Sequence, residues 1–253
     1  MFDTHCHLQD ERIFGRLGGV VDAAKRAGVA RMLCCGSHDG DWGDVAKVCG
    51  LYGGAGVACA YGVHPRHADR CGGGWAEALE GYLVSDPSAA VGEIGLDRAA
   101  CPRDGAAQSK IFIRQLDIAE KYGRPVSIHC RRAWGELLPI LRDRGGLKFG
   151  GAIHSYSGPP DLVGELMGLG CYVSFSGSIL IPGGKRAAAS LRKVSLDRLL
   201  IETDSPDIMP HGVAGEFNEP ANLVLVVDRV AEILGESQEK IVALTYENGC
   251  RLF

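Results

Sequence analysis

The chain has 253 residues, 46% of them hydrophobic and 23% charged, with a formal net charge of −4. These values are typical of a globular protein and exclude fibrous repeats and a largely disordered chain. The acidic balance also excludes a global positive field, so any contact with nucleic acid must be local. No stretch approaches the roughly 18 consecutive apolar residues of a membrane span, so no membrane association is expected.

Ten cysteines are scattered along the chain and never form a CxxC pair. A disulfide framework or a zinc ribbon is therefore not expected. The chain starts with a polar segment instead of the basic and apolar regions of a secretion signal. These features predict a reducing, cytoplasmic setting, and no obligate protein partner is evident.

Eight short apolar runs alternate with longer segments of helical periodicity, a pattern typical of βα units in a parallel sheet. The predicted strands are Met1–Cys6, Ala30–Gly36, Val57–Val63, Ala89–Leu96, Pro125–Cys130, Gly150–His154, Cys171–Ser176 and Leu199–Thr203.

The clearest predicted helix covers Ala106–Tyr122 and ends before Gly123, and two more cover Pro220–Leu234 and Gln238 to about Gly249. No long linker or change of composition divides the chain. We therefore expect one domain over residues 1–253, an α/β fold of the (β/α)8 TIM-barrel type. The pattern alone leaves a doubly wound open sheet as an alternative.

His5 and His7 lie two residues apart at the end of the first predicted strand. Because side chains alternate along a strand, both imidazoles should emerge on one side, with Asp3 on that side and Cys6 on the other. The HxH pattern indicates a metal site or, less specifically, two polar residues where a strand leaves the sheet.

Other predicted strands also end in residue types that bind metals, and the carboxyl ends of all barrel strands meet on one face. The candidate ligands are His5, His7, Glu93, His129, His154 and Asp204. Six ligands exceed the three or four that one catalytic ion needs, so two divalent ions that share a carboxylate are predicted. Glu93 is the candidate bridge, and Asp204 can both bind an ion and accept the proton of an attacking water. Glu202 either supports this cluster from behind or makes an ordinary structural hydrogen bond.

Seven motifs of the chain resemble, in order and spacing, the TatD family of metal-dependent DNases. They are FDTHCHL at 2–8, GVHP at 62–65, GEIGLD at 92–97, PVSIHCR at 125–131, HSYSG at 154–158, ETDSP at 202–206 and NEP at 218–220. The resemblance extends to the terminal NGCRLF at 248–253 and so covers essentially the whole chain.

The resemblance implies a barrel of the amidohydrolase-like group with a divalent metal centre. One metal would be held by His5, His7, Glu93 and Asp204, and the other by Glu93, His129 and His154. It also implies magnesium, manganese or zinc as cofactor. DNA is the implied substrate, cleaved as by an exonuclease acting on single-stranded ends.

His64 is similar to a family histidine near the substrate phosphate, although a loop histidine followed by Pro65 is the alternative. Ser155 and Tyr156 stand where many relatives have Cys and Phe, which leaves substrate preference open. Arg98 follows Asp97 where relatives often carry an aromatic residue. It could contact phosphate, but we expect it to be a solvated loop charge.

Three further histidines, His38, His67 and His211, lie in predicted loops and are interpreted as exposed or locally bonded. The basic stretch 183–193 is interpreted as a solvated helix face rather than a nucleic-acid contact.

Two other functions stay open at this point. The same centre could hydrolyse a small cyclic amide or ester, because an activated water attacks carbon and phosphorus alike. A scaffold without turnover is less consistent with six ligand positions that all carry competent residues.

Overall fold

The computed structural model describes residues 1–99 and 105–253. Its eight strands are parallel and lie in one sheet in chain order, which confirms the predicted TIM-type barrel. The strands are β1 (Phe2–Cys6), β2 (Arg31–Cys35), β3 (Val57–Tyr61), β4 (Ala90–Asp97), β5 (Val126–Arg131), β6 (Gly151–Ile153), β7 (Cys171–Phe175) and β8 (Leu199–Ile201).

Helices pack around the sheet and bury their apolar stripes against the outward side chains of the strands. In the described residues they are α1 (Glu11–Phe14), α2 (Leu17–Arg26), α3 (Trp42–Tyr52), α4 (Trp75–Ser85), α5 (Gly105–Tyr122), α6 (Trp134–Asp143), α7 (Val163–Gly168), α8 (Lys185–Leu191), α9 (Leu223–Leu234) and α10 (Gln238–Leu252). Within these same residues, no helix combines the length and apolar character that a membrane crossing requires.

The last two helices differ from their predicted bounds. A short 3-10 turn, Pro220–Asn222, precedes α9, and α10 continues past Gly249 to Leu252. A Cβ atom at Gly249 would lie 2.6 Å from the Phe2 ring. Glycine at this position therefore allows close packing of α10 on β1 and does not end the helix, as the sequence had suggested.

Two strands contain an extra residue. Asp3 and Cys6 of β1 pair with Met32 and Cys34 of β2, so three steps along one strand match two along the other. The same mismatch occurs in β4 between Val91 and Ile94. Such bulges interrupt the alternation of side chains and are frequent next to active sites.

The bulge in β1 changes the expected position of Asp3. Its carboxylate does not join the side of His5 but accepts hydrogen bonds from the main-chain N–H and the hydroxyl of Thr203, where β8 meets β1. Thr4 adds a bond from its hydroxyl to the Ile201 carbonyl (2.9 Å). Buried side chains thus help to close the barrel at this seam, and strict alternation was the wrong guide for Asp3.

Cys49 on α3 and Cys59 on β3 form a disulfide, with Cα atoms 6.1 Å apart. The sequence did not suggest this pair, although one cross-link is not a disulfide framework. The other described cysteines are free thiols, and Cys101 lies outside the described residues. The cytoplasmic setting stays a prediction.

Replacement of Asp3 by Ala tests the seam. The change leaves the N–H and hydroxyl of Thr203 buried without an acceptor, so the free energy of unfolding should fall by about 2–4 kcal/mol. Urea unfolding in the presence of a chelator measures this without any contribution from bound metal. Asp22→Ala, on the exposed face of α2, is the control and should stay within about 0.5 kcal/mol of the parent protein. Equal stability of the two variants would contradict a role of Asp3 in closing the barrel.

Candidate metal centre

The structure brings together all six candidate ligands at the carboxyl end of the barrel. A cavity of about 900 Å³ opens above them, and five of the six line it, all except the fully buried His5. His5, Glu93 and His129 belong to β1, β4 and β5, whereas the others follow their strands by one to three residues. Three overlapping groups have donor atoms that all lie within 4.8 Å of one another, and the third of them includes His64: His5, His7 and Glu93; His5, His154 and Asp204; and His64, Glu93 and His129.

The carboxylate of Glu93 lies between two sets of nitrogen atoms. Its Oε2 is 3.5 Å from Nε2 of His5 and 3.4 Å from Nε2 of His7. Its Oε1 is 2.9 Å from Nδ1 of His129 and 2.8 Å from Nε2 of His154. Asp204 joins the first set, with Oδ1 3.5 Å from Nε2 of His7. Each carboxylate oxygen of Glu93 therefore faces a different half of the cluster.

Each of the four candidate ligand histidines has a partner on the ring nitrogen that points away from the centre. His7 Nδ1 lies 2.8 Å from the Cys35 carbonyl, which can only accept a hydrogen bond, so this nitrogen carries the proton. His5 Nδ1 lies 2.8 Å from the Ser127 hydroxyl.

The rings of His129 and His154 have carboxylates as their outer partners. His129 Nε2 lies 3.2 Å from Asp97, and His154 Nδ1 lies 3.2 Å from Glu202. Partners of this kind fix the ring orientation and leave the inner nitrogen free to bind a cation.

The sequence missed two of these supporting residues, Asp97 and Ser127. Asp97 ends the same strand as Glu93, and Ser127 precedes His129 by two residues, so strand position offered a signal for both. For Glu202 the sequence left two interpretations open. The structure favours the supporting one, because its buried Oε1 contacts His154 and also accepts the main-chain N–H of Ser155 at 2.6 Å.

Gly95 allows β4 and β5 to approach closely beside the cluster. Its φ is +138°, and a Cβ atom there would lie 2.0 Å from the carbonyl oxygen of His129. A larger residue would push His129 away from Glu93, so this glycine is required by the geometry of the site.

Asp204 is held in a left-handed conformation, with a φ of +59°. This region is uncommon for residues other than glycine, although aspartate tolerates it better than most. Its N–H donates to the His5 carbonyl at 3.0 Å, which fixes the backbone next to the cluster. Unusual backbone of this kind is often found at functional sites, where the surrounding structure enforces it.

The buried charges of the cluster stabilise one another. Burial opposes protonation of His7 and His154, but nearby carboxylates outweigh it and raise the pKa of both well above the usual range. Burial also opposes ionisation of Asp204, yet its hydrogen bond with His7 and the charges of the neighbouring histidines together outweigh burial and lower the pKa of this carboxyl group. Without a cation, the carboxylates therefore recruit protons as their counter-charge.

His64 differs from the four candidate ligand histidines in the ring nitrogen that carries the proton. Its Nδ1 accepts the main-chain N–H of Arg66 at 3.0 Å, so in the neutral ring the proton is on Nε2. That nitrogen lies 3.5 Å from Oε1 of Glu93, and burial lowers the pKa of His64 to about 3. His64 is therefore a neutral hydrogen-bond donor beside the cluster, which fits the expected contact with substrate better than metal binding.

Two residues that the sequence set aside lie at the cavity mouth. His38 and His67 line the cavity, and their ring centroids are 4.7 Å apart. The expectation of a solvated loop charge at Arg98 was wrong, because this side chain forms an ion pair with Glu136 and a hydrogen bond with Gln108.

The donor set fits divalent cations. Inward-facing imidazole nitrogens and carboxylate oxygens are common ligands of zinc and manganese and acceptable to magnesium through the oxygens. The carboxylates also need positive charge, since they are almost fully buried. His5, His7, Glu93 and Asp204 could hold one ion, and Glu93, His129 and His154 another.

Comparison with known proteins identifies the family of the chain. The family described as TatD related DNase matches residues 2–253. The chain belongs to the TatD family.

The chain matches nearly the whole length of three similar proteins. An uncharacterized metal-dependent hydrolase, YabD of Bacillus subtilis, is 31% identical over 100% of this chain and 98% of its own. A protein named 3'-5' ssDNA/RNA exonuclease TatD, from Edwardsiella piscicida, is 30% identical over 100% and 99%. The crystal structure of YJJV, a TatD homolog from Escherichia coli, superposes with a TM-score of 0.94 at 27% identity, over 100% of this chain and 97% of that one. The protein is therefore a metal-dependent hydrolase of the TatD family.

Replacement of Glu202 by Gln tests the support of His154. The amide keeps the size of the side chain but loses the negative charge beside the His154 ring, so the affinity for zinc should fall about 10–100-fold. Competition with a chromophoric chelator measures the change. Glu77→Gln, on the exposed surface of α4, should bind zinc like the parent protein. Unchanged zinc affinity in both variants would contradict this role of Glu202.

Proposed function

We propose that the protein hydrolyses phosphodiester bonds of DNA, as an exonuclease acting on single-stranded ends, with two divalent ions at the centre. Membership of the TatD family supports the hydrolase class, and the exonuclease name of the relative from Edwardsiella piscicida supports the substrate. The observation that carries the two-ion proposal is the position of Glu93, whose two oxygens face separate groups of histidines.

Bound divalent ions would lower the pKa of a water molecule and polarise the phosphoryl oxygens. Side chains of the protein would accept the proton of the water and position the phosphate. Asp204 faces the cavity and can accept the proton of the attacking water, because its carboxyl group stays ionised at neutral pH. His64 can donate its Nε2 proton in a hydrogen bond to a phosphate oxygen and so position the scissile group.

Replacement of Asp204 by Asn should abolish most hydrolysis, since the amide cannot accept the proton. The expected loss is at least about 100-fold in kcat, the usual contribution of a general base. A time course with end-labelled single-stranded DNA measures it, on chelator-stripped protein to which magnesium, manganese or zinc is restored. The ladder of products also shows the polarity of cleavage.

The surface variant Asp22→Asn is the control for this assay and should cleave at the parent rate. Near-normal turnover by Asp204→Asn would overturn the assignment of the proton acceptor. Absence of cleavage by the parent protein with every metal, despite a loaded centre, would redirect the search to small cyclic amides and esters.

Replacement of Glu93 by Ala tests the shared carboxylate. Both halves of the cluster lose an oxygen, so metal content should fall from two ions per chain to one or fewer, together with the rate. Elemental analysis after dialysis measures the content, and Glu77→Ala is the control. Retention of two ions by Glu93→Ala would show that Glu93 is not the bridge.

A further inference from the structure

Charged side chains are distributed unevenly around the mouth of the cavity. On the side of β1 and β8 lie Asp10, Glu11 and Asp207, and the one arginine there, Arg12, is held by two of these carboxylates. Its Nε is 2.8 Å from Asp10 and its Nη1 is 2.8 Å from Asp207. This side therefore has no spare positive charge to offer a ligand.

The other side carries two arginines, Arg66 after β3 and Arg131 at the end of β5, and both side chains are exposed and line the cavity. Within residues 1–99 and 105–253, neither guanidinium group has an ion pair or a side-chain hydrogen bond. In a barrel of eight strands, β4 and β5 lie opposite β8 and β1. The free positive charge thus faces the acidic side across the centre.

Both arginines lie within two residues of a histidine of the site. Arg66 donates its main-chain N–H to His64, and Arg131 follows His129 by two residues. About 10 Å separates β3 from β5 at the usual spacing of strands, and Glu93 on β4 lies between them. Two arginines that line the cavity therefore lie on either side of the strand that carries Glu93.

We propose that Arg66 and Arg131 bind the phosphates that adjoin the scissile one, so that the uncleaved part of the strand leaves the centre over β3–β5. The substrate is then a nucleic-acid strand with several phosphates, not a small neutral amide or ester. This rests on the proposed phosphodiesterase function. Guanidinium groups suit the task because they offer paired donors to phosphate oxygens.

The repulsive side supports the same direction. A chain of phosphates over β1 and β8 would meet Asp10, Glu11 and Asp207, so the part of the strand that crosses this side must carry little charge. A single terminal nucleotide fulfils that condition, because its one phosphate is the scissile phosphate at the centre.

Binding of a short fluorescein-labelled oligothymidylate, measured by fluorescence anisotropy in chelator, tests the proposal without turnover. Arg66→Ala and Arg131→Ala should each weaken binding about tenfold or more, as expected for loss of a hydrogen bond to a charged group. Each should also reduce the slope of log affinity against log salt concentration by about 0.7, the value for one phosphate contact on a single strand.

Arg26→Ala is the matched control, because it removes one exposed positive charge at the end of α2, on the opposite face of the barrel. It should leave affinity and slope unchanged. An oligothymidylate with one neutral methylphosphonate next to the scissile position provides a second control. Arg66→Ala or Arg131→Ala should have no further effect once the phosphate that it contacts is neutral.

The outcomes separate this inference from the proposed function. Unchanged affinity and slope in both arginine variants would overturn the phosphate contacts, even if the protein cleaves DNA. Arginine-dependent binding without cleavage under any metal would overturn the phosphodiesterase function and leave the contacts standing. Oligouridylate should show the same losses, and a loss confined to one type of sugar would show that the arginines do not recognise the phosphate backbone.

Discussion

The site depends on a carboxylate with almost no exposure to water, placed between two groups of imidazoles. Glu93 is 4% exposed, and a buried negative charge is costly unless positive charge surrounds it. The surrounding histidines can supply this charge as protons or can bind cations in their place. Burial of negative charge opposes folding of the cluster, and for the same reason it favours the binding of a metal cation. The rest of the barrel holds the two groups of imidazoles at a distance that one carboxylate can span.

Hydrogen-bond partners outside the cluster decide whether the inner ring nitrogen of a histidine carries a proton. His7 points one nitrogen at a carbonyl and His154 points one at a carboxylate, so in both the inner nitrogen is free for a cation. His64 instead accepts a main-chain N–H, which places its proton on the inner nitrogen. Imidazoles of one chemical type therefore differ in the state of the inner nitrogen, and their hydrogen-bond partners set this difference. The difference requires the three-dimensional arrangement, because the sequence shows the same residue in every case.

Much of the architecture could be predicted from the sequence because strand ends and metal-ligand residues coincide in a parallel barrel. The six candidate ligands required only the rule that carboxyl ends meet on one face. The supporting residues were harder to find, since Ser127 and the Cys35 carbonyl act through position and not through residue type. Asp3 was misplaced because a strand bulge cannot be seen in a short apolar run, and Arg98 because its partner Glu136 is distant in sequence.

The bulges in β1 and β4 make the strand pairing irregular, and the site depends on this irregularity. Val91 and Ile94 both pack in the core shared with the helices, so strict alternation from Val91 without the bulge would turn Glu93 away from the barrel axis. A chain selected only for sheet regularity would therefore lose its central carboxylate. Insertions and deletions in these two strands should accordingly be far less tolerated than substitutions. The number of residues in β1 and β4 therefore limits how this sequence can vary.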